Sequence, residues 1–305
     1  DHQEPMKLCQ SSNPPLRHSY EAVASSLVLN IQRAAARVER ALEGGLPLGR
    51  VVVDLFPLYE TRAISAQRDR AWVRFVTDNL SYTVSSQTIS VFPESQQSMA
   101  QSSGQPRLWE SAFVVAHEYA HHVENQLFAN LTQKLNLQWN EVQHQFLAGP
   151  NDLRENANAK VAFFVTAMSE AFADLLAFYV NDGSAKSISE FRQLGDNRDP
   201  KALYYRDGNL EKRLNATLIK SISNQFDQQH DTQSFAVDAH EVGAVVAHVL
   251  HSVWQRLLPT QNSANSSEQK FRVLLAWTVK FQRAFYDKIA DSPDQLSLKV
   301  LLDKF

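Results

Sequence analysis

The segment His117-Glu118-Tyr119-Ala120-His121 carries residue types that can bind and activate a metal ion. Two histidines four residues apart on a helix project from the same face one turn apart, so both can bind one Zn²⁺. Glu118 follows the first histidine, where its carboxylate can reach a water at an open coordination position. The pattern therefore predicts a zinc site with His117 and His121 as ligands and Glu118 as general base. The apolar run Ala112–Ala116 favours burial of this helix, which the alternative, a pair of surface histidines, would not require.

A second segment, Met168–Asp174, offers a third ligand on another strongly apolar stretch. A catalytic zinc site uses three protein ligands, and Glu170 is the candidate carboxylate. Asp174 lies one helical turn further along the same face, where it can accept the free N–H of a liganding imidazole and fix its tautomer. The alternative is a solvent-facing acidic pair, which like-charge repulsion and the apolar flanks disfavour.

Together, these two motifs resemble those of the thermolysin-like and fungalysin-like zinc metallopeptidases, the gluzincins, in which H-E-x-x-H is completed by a downstream E-x-x-x-D. The resemblance covers the motifs and their order, roughly Thr88–Trp254. It implies a Zn²⁺-dependent hydrolase acting on peptide bonds. It also implies that His117, His121 and Glu170 are the three zinc ligands. By the same resemblance, Glu118 is the general base and Asp174 is the partner of a zinc histidine.

The segment Asp238-Ala239-His240-Glu241-Val242-Gly243 is similar to the D-x-H-x-x-G segment of the fungalysin-type enzymes. By that resemblance, His240 is the donor that stabilises the oxyanion formed when water attacks a peptide carbonyl, and Asp238 orients its imidazole. The alternative for His240 is a capping or surface histidine. Four further histidines are expected to be surface or packing residues, namely His122, His144, His248 and His251.

Thr88–Phe92 lies upstream of the motif at a distance similar to that of the thermolysin-like edge strand that pairs with extended substrate. An ordinary structural strand is the favoured interpretation, and a substrate-pairing edge strand is the alternative. Two features depart from the resemblance. The 49-residue step from His121 to Glu170 is longer than in thermolysin, which implies inserted helices around Leu127–Lys160 that cover or narrow the cleft. In addition, Ser169 stands where many thermolysin-like enzymes have an asparagine beside the ligand glutamate.

The periodicity of apolar residues predicts the elements that position these motifs. Helices are expected at Tyr20–Leu42, Leu108–Leu131, Leu135–Leu147, Asn156–Val180, Leu210–Gln225, Ala239–Leu258 and Gln269–Ala290. Runs of β-branched and aromatic residues predict strands at Val51–Phe56, Trp72–Val76, Ser81–Val84 and Thr88–Phe92. The class is therefore α+β, and the resemblance makes it a two-lobed zincin fold. Its expected parts are a flexible leader (1–18), a first part with helix, sheet and motif helix (19–130), and a helical lobe with the third ligand and His240 (131–305).

The composition of the chain limits the classes of partner that can be expected. The chain has 305 residues, 44% of them apolar and 21% charged, which is ordinary for a globular protein. A net charge of −3 without basic clusters predicts neither nucleic acid nor an anionic membrane as a partner. Apolar runs such as Ala171–Val180 fall short of the roughly 20 residues that span a bilayer, so no transmembrane segment is expected. The lone Cys9 excludes an internal disulfide, and a lipid anchor on it is a remote alternative.

The expected activity is that of an endopeptidase acting on protein or peptide substrates. The resemblance implies a location outside the cytoplasm (secreted, periplasmic or surface-anchored), and the lack of disulfides leaves the cytosol as the alternative. An exopeptidase with the same chemistry and a restricted cleft is one alternative. A catalytically silent module that holds zinc is another. The presence of Glu118 and His240 argues against the silent module, because neither residue is needed merely to hold zinc.

Overall fold

A computed structural model describes residues 20–42, 48–56, 60–63, 71–74, 79–93, 107–135, 137–140, 145–148, 155–183, 239–258 and 267–291. Within them, long helices accompany a small three-stranded mixed sheet, so the predicted α+β class is confirmed. The helices are α1 (Tyr20–Ala41), α2 (Ala112–Lys134), α3 (Glu155–Val180), α4 (Ala239–Leu257) and α5 (Ser267–Asp291). The strands are β1 (Val52–Leu55), β2 (Glu60–Ala63), β3 (Ala71–Arg74), β4 (Leu80–Thr83), β5 (Thr88–Val91), β6 (Leu137–Asn140) and β7 (Gln145–Ala148).

β5 is the central strand of the three-stranded sheet. It pairs in parallel with β1 and antiparallel with β4, which sets both Val53 and Tyr82 opposite Ile89. The interpretation of Thr88–Phe92 as a substrate-pairing edge strand is therefore wrong, whereas an ordinary structural strand agrees with the structure. Because both neighbours use its backbone hydrogen-bonding groups, β5 has no free edge for a substrate. Among the described strands, the edges of this sheet are β1 and β4.

The central helix of the core is α3. Every residue from Val161 to Tyr179 is buried, because α3 packs against α2, α4, α5 and β7. The stretch Val161–Val180 is long and apolar enough to cross a membrane. It is longer than Ala171–Val180, the apolar run that was expected to fall short of a membrane span. Only Glu170 and Asp174 interrupt it with charge. Its most apolar window is wholly buried inside the fold, as in the core helix of a globular protein.

The two motif histidines lie on α2, which begins directly after Ser111. A short 3-10 helix, Leu108–Glu110, precedes that serine, so the helix predicted from Leu108 starts four residues later than expected. Ser111 is fully buried, and its Oγ accepts a hydrogen bond from the Val114 backbone N–H at 3.3 Å. The serine thus caps the helix that carries the metal-binding motif.

The segment predicted as a helix from Leu135 to Leu147 instead contains the antiparallel hairpin β6–β7. Leu135, Leu137 and Trp139 alternate with polar residues, which matches the period of two of a strand. The helix prediction was wrong because the apolar residues of this segment also fit a helical period. The inserted helices expected around Leu127–Lys160 are replaced, in the described part of that range, by the end of α2, this hairpin and the start of α3.

Arg37 of α1 holds three helices together at the C-terminal end of α3. Its guanidinium donates a hydrogen bond to the Val180 carbonyl at 2.5 Å and pairs with Asp182 and with Glu268 of α5. It also lies over the Phe271 ring, 4.7 Å from the centroid. A cation is favourable at the last carbonyls of a helix. Arg37 therefore anchors α1 both to the end of α3 and to α5.

Four of the predicted helices are confirmed to within two residues at each end, and they correspond to α1, α3, α4 and α5. The four predicted strands overlap β1, β3, β4 and β5. β2 was not predicted, because Glu60-Thr61-Arg62-Ala63 has no alternation of apolar residues. The leader 1–18, the helix predicted at Leu210–Gln225, and the residues Asp238 and His144 lie outside the described residues.

Candidate metal centre

Three predicted ligands converge where α2 faces α3. His117 Nε2 and His121 Nε2 lie 3.2 Å apart. Glu170 Oε2 lies 3.4 Å from His117 Nε2, and its Oε1 lies 3.6 Å from His121 Nε2. One potential ligand atom from each residue lies within 4.8 Å of the other two. Two residues of α2 and one of α3 thus direct metal-binding atoms at one point, which agrees with the predicted ligand set.

Asp174 faces the opposite side of the His117 ring. His117 Nδ1 lies 2.9 Å from Asp174 Oδ1. A carboxylate beside Nδ1 favours the tautomer with its proton on Nδ1, which leaves the lone pair on Nε2 for a metal. Asp174 and Glu170 are 0% and 4% exposed, so the alternative of a solvent-facing acidic pair does not hold. Asp174 lies where the sequence pattern places a partner of a zinc histidine.

Ser169 and Glu124 lie behind the ring of His121. His121 Nδ1 is 3.1 Å from Ser169 Oγ, and the serine hydroxyl donates a short hydrogen bond to Glu124 Oε2. The same carboxylate oxygen lies 3.9 Å from His121 Nδ1. Both Ser169 and Glu124 are buried. Ser169 therefore gives His121 a hydrogen-bond partner.

Sequence reasoning missed Glu124 and its two partners from α5. Glu124 Oε1 accepts hydrogen bonds from Gln282 Nε2 at 2.7 Å and from the Tyr286 hydroxyl at 3.3 Å. Burial, and next the Glu124 charge, raise the pKa of Tyr286 well above its ordinary value, so the phenol keeps its proton and donates. One signal was present, since a glutamate one turn after His121 in a buried helix needs a partner. No local spacing links α5 to the motif.

Glu170 carries its charge inside an otherwise apolar stretch of α3. Burial raises the pKa of its carboxyl, but the charges of His240 and His121, with a hydrogen bond from His117 and its charge, outweigh burial. They hold the pKa of Glu170 well below its ordinary value. The side chain is therefore ionised near neutral pH, as a metal-binding carboxylate must be.

His240 reaches the same cluster from the first turn of α4. Its Nε2 lies 3.4 Å from Glu170 Oε1, and its side chain is 40% exposed. At this point α4 passes so close to α3 that Gly243 leaves no room for a side chain. The structure thus brings the predicted donor to the predicted ligands, while its expected partner Asp238 lies outside the described residues.

A cavity of about 280 Å³ opens beside the cluster. Glu118 is half-buried and lines this cavity together with His240, so the predicted base and donor share one space. Strand β4 and the adjoining residues form part of the wall, and Phe128 and Ala129 of α2 also line the cavity. The cavity is thus lined by Glu118, by His240 and by the three clustered residues His117, His121 and Glu170.

The other described histidines take part in packing. Buried His122 lies between the Tyr82 hydroxyl, 3.2 Å from Nδ1, and the Gly49 carbonyl, 3.0 Å from Nε2. Buried His251 contacts the hydroxyl of Tyr179 at 3.0 Å. His248 is half-buried and lies 3.4 Å from Ser252 Oγ. These contacts agree with the expectation that they are surface or packing residues.

The donor set fits Zn²⁺ better than it fits a hard cation. Two imidazoles and one carboxylate are a common catalytic zinc set that leaves the fourth position open, whereas Ca²⁺ and Mg²⁺ prefer oxygen ligands throughout. The nitrogen of each histidine that points away from the cluster has a polar partner, Asp174 for His117 and Ser169 for His121. Such partners orient the ligands of zinc sites. The residues present therefore fit a catalytic zinc centre.

Comparison of the chain with models of protein families, with curated proteins and with solved structures found no match. Its functional interpretation therefore rests on the geometry and chemistry of this site.

Proposed function

We propose that the protein is a zinc-dependent peptidase of the thermolysin-like, gluzincin type, with a two-lobed zincin fold. The observation that carries this proposal is the convergence of His117, His121 and Glu170 beside a cavity that also holds Glu118 and His240. Under this proposal, the first lobe ends with the motif helix α2, and the second contributes Glu170 on α3 and His240 on α4.

Two residues that line the cavity, Glu118 and His240, have separate tasks in peptide hydrolysis. Zinc held by His117, His121 and Glu170 would supply Lewis acidity and would lower the pKa of a water molecule to near neutrality. Glu118 accepts the proton of the attacking water and later delivers it to the leaving amine. His240 donates an N–H to the oxyanion that develops on the scissile carbonyl. Since neither Glu118 nor His240 is needed to hold zinc, their place in the cavity supports hydrolysis over a silent zinc-holding module.

An extended peptide would lie along β4 rather than along β5. β4 pairs with β5 on one side, and among the described strands no other strand pairs with it. Residues of β4, including Leu80 and Tyr82, line the cavity beside the ligand cluster. Adding a substrate strand to a free sheet edge is a common mode of peptide recognition, because the main-chain hydrogen bonds do not depend on sequence. This assigns to β4 the substrate-pairing role that was the alternative for Thr88–Phe92.

Metal analysis combined with peptide hydrolysis tests the proposal. The wild type is expected to bind zinc and to cleave peptides. Glu118→Gln is expected to keep the zinc while its hydrolysis rate falls roughly 10²- to 10⁴-fold. Glu21→Gln, at an exposed glutamate of α1, is the matched control and should behave as wild type. A wild type that binds no zinc, or a Glu118→Gln variant that cleaves as fast as wild type, would sink the proposal.

Substrate length separates an endopeptidase from an exopeptidase. Peptides with both termini blocked are compared with the same sequences bearing a free amino or carboxyl terminus. Internal cleavage of blocked peptides is the result expected for an endopeptidase. Activity confined to substrates with a free terminus would identify the exopeptidase instead.

A further inference from the structure

We propose that Glu124 is a positioning residue of the metal centre. Through Ser169 it fixes the imidazole of His121, and through Gln282 and Tyr286 it makes α5 part of the site. The inference rests on the proposed metal centre and adds residues that lie outside the two zinc-binding motifs. It is carried by a continuous chain of hydrogen bonds, of which the His121–Ser169 contact is partly buried and the other three are buried.

The directions of these hydrogen bonds set the tautomer of His121. The Ser169 hydroxyl donates its only proton to Glu124 Oε2, so its oxygen can act only as an acceptor towards His121. The His121 ring must therefore carry its proton on Nδ1, 3.1 Å from Ser169 Oγ. The lone pair is left on Nε2, the atom that faces His117 and Glu170. This is the tautomer that a metal ligand needs.

The other oxygen of Glu124 is held from α5. Gln282 Nε2 and the Tyr286 hydroxyl both donate to Oε1, so the carboxylate accepts from three side chains in total. With two donors on one oxygen and the serine on the other, the carboxylate plane cannot rotate freely. Because Gln282 and Tyr286 are one turn apart on α5, the seating of this helix determines the position of Glu124 behind His121.

Glu124 and Asp174 act on the two histidines in different ways. Asp174 lies 2.9 Å from His117 Nδ1, whereas Glu124 lies 3.9 Å from His121 Nδ1 and reaches it through Ser169. A buried carboxylate that only joined helices would destabilise the fold compared with an apolar residue of similar size at the same position. Behind a metal ligand, the negative charge raises the basicity of the imidazole, which no apolar side chain can do.

Zinc affinity of the full chain, measured by competition with a chromophoric chelator, tests the inference. Glu124→Gln removes the negative charge and places an amide NH₂ group where the carboxylate oxygen accepted a hydrogen bond. Ser169→Ala removes the hydroxyl that connects Glu124 to His121. Each is expected to weaken zinc binding roughly 10- to 100-fold. Gln282→Met and Tyr286→Phe remove one donor each and are expected to weaken it less. These milder variants keep the test decisive if Glu124→Gln fails to fold.

Two buried threonines provide matched controls. Thr278 of α5 and Thr166 of α3 donate to carbonyls of their own helices, at 2.7 Å and 2.9 Å, respectively. Thr278→Val and Thr166→Val therefore remove a buried hydrogen bond without touching Glu124. Urea unfolding of the metal-free variants gives the stability lost by each. A positioning role predicts that zinc affinity falls only in the network variants, whatever stability the controls lose.

Imidazole NMR of the metal-free protein gives a second readout. In the wild type the His121 proton is expected on Nδ1, and Ser169→Ala is expected to populate both tautomers. Zinc affinities of Glu124→Gln and Ser169→Ala equal to those of the threonine controls would overturn the inference. If zinc affinity falls as expected but the wild type cleaves no peptide, the peptidase proposal fails and this inference stands. A wild type without zinc affinity overturns both.

Discussion

Gly243 of α4 lies directly against Glu170 of α3. A Cβ on this glycine would meet the Cβ of Glu170 at 2.6 Å and the carbonyl oxygen of Ala167 at 2.7 Å. His240 lies three residues earlier on the same helix, so this close approach also brings its Nε2 to 3.4 Å from Glu170 Oε1. The glycine therefore sets the distance between the predicted donor and the predicted metal ligand.

Gly243→Ala is expected to destabilise the protein and to slow hydrolysis. Replacing glycine by alanine inside a helix ordinarily stabilises it by about 1 kcal/mol. Forcing a methyl group into a close-packed contact costs about 1–3 kcal/mol, and here the contact includes backbone that cannot turn aside. The difference between the two terms is a net loss of up to about 2 kcal/mol, which urea unfolding measures. We also expect a lower kcat/KM, because α4 carries His240 away from Glu170.

Gly49→Ala is the matched control for this substitution. A Cβ at Gly49 would lie 3.5 Å from Gln126 Oε1, an ordinary van der Waals distance. Its effect on the free energy of unfolding is expected to stay within about 0.5 kcal/mol. If Gly243→Ala were as stable and as active as Gly49→Ala, the close approach of the two helices would not control the site.

His240→Ala is expected to separate catalysis from metal binding. Removal of an oxyanion donor lowers kcat by roughly 10²- to 10³-fold. Zinc affinity should be nearly unchanged, since three protein ligands remain. His240 Nε2 lies close enough to Glu170 for a different outcome to be informative. A loss of zinc affinity parallel to the loss of kcat would make His240 a fourth ligand and the centre a closed, structural one.

The motif residues could be predicted because local rules fix them. A spacing of four on a helix brings His117 and His121 together whatever the rest of the fold does. Glu170 was identifiable as a charge in an apolar helix. Glu124 was not linked to Gln282, because that contact depends on how α5 packs against α2, and no spacing in the sequence encodes it.

The features of the fold that were not predicted correctly also depend on contacts between residues distant in sequence. The order of strands in a sheet cannot be inferred from one strand, so the sequence left open whether Thr88–Phe92 is an edge strand, and the structure shows that it is central. In the structure Ile89 and Val91 are fully buried, as is usual for residues of a central strand. The β6–β7 hairpin was misjudged because its apolar residues fit both a helical and an alternating period, and pairing between its strands decides the outcome.

Asp174→Asn is expected to weaken zinc binding while leaving the metal-free fold intact. The asparagine keeps the size of the side chain, and its oxygen can still accept from His117 Nδ1, but the negative charge is lost. Zinc affinity should fall roughly 10- to 100-fold. The metal-free protein should be about as stable in urea, because relief of the cost of burying a charge offsets the weaker interaction with a neutral His117. Asp54→Asn, on the exposed side of β1, is the control, and equal zinc affinities for the two variants would contradict the role of Asp174.

The stability contributed by Asp182, at the end of α3, is expected to depend on pH. Burial raises the pKa of Asp182, but hydrogen bonds from Arg37 and Ser267 and the charge of Arg37 outweigh it and hold that pKa below its ordinary value of 3.8. A carboxyl whose pKa is lower in the folded state stabilises the fold above its unfolded pKa. This stabilisation is lost as the pH falls through the folded pKa.

Asp182→Asn isolates this contribution. Asp182 has a φ of 56°, which asparagine also tolerates, so the substitution removes the charge without straining the backbone. Because 58% of the side chain is exposed, we expect a loss of only about 0.5–1 kcal/mol at pH 7. Urea unfolding should give the same difference at pH 5 and a shrinking one below pH 4. In an Arg37→Met background the difference should vanish, since the main partner of Asp182 is gone. A difference that persists in that background, or that does not shrink as the pH falls below 3.8, would show that the ion pair is not its source.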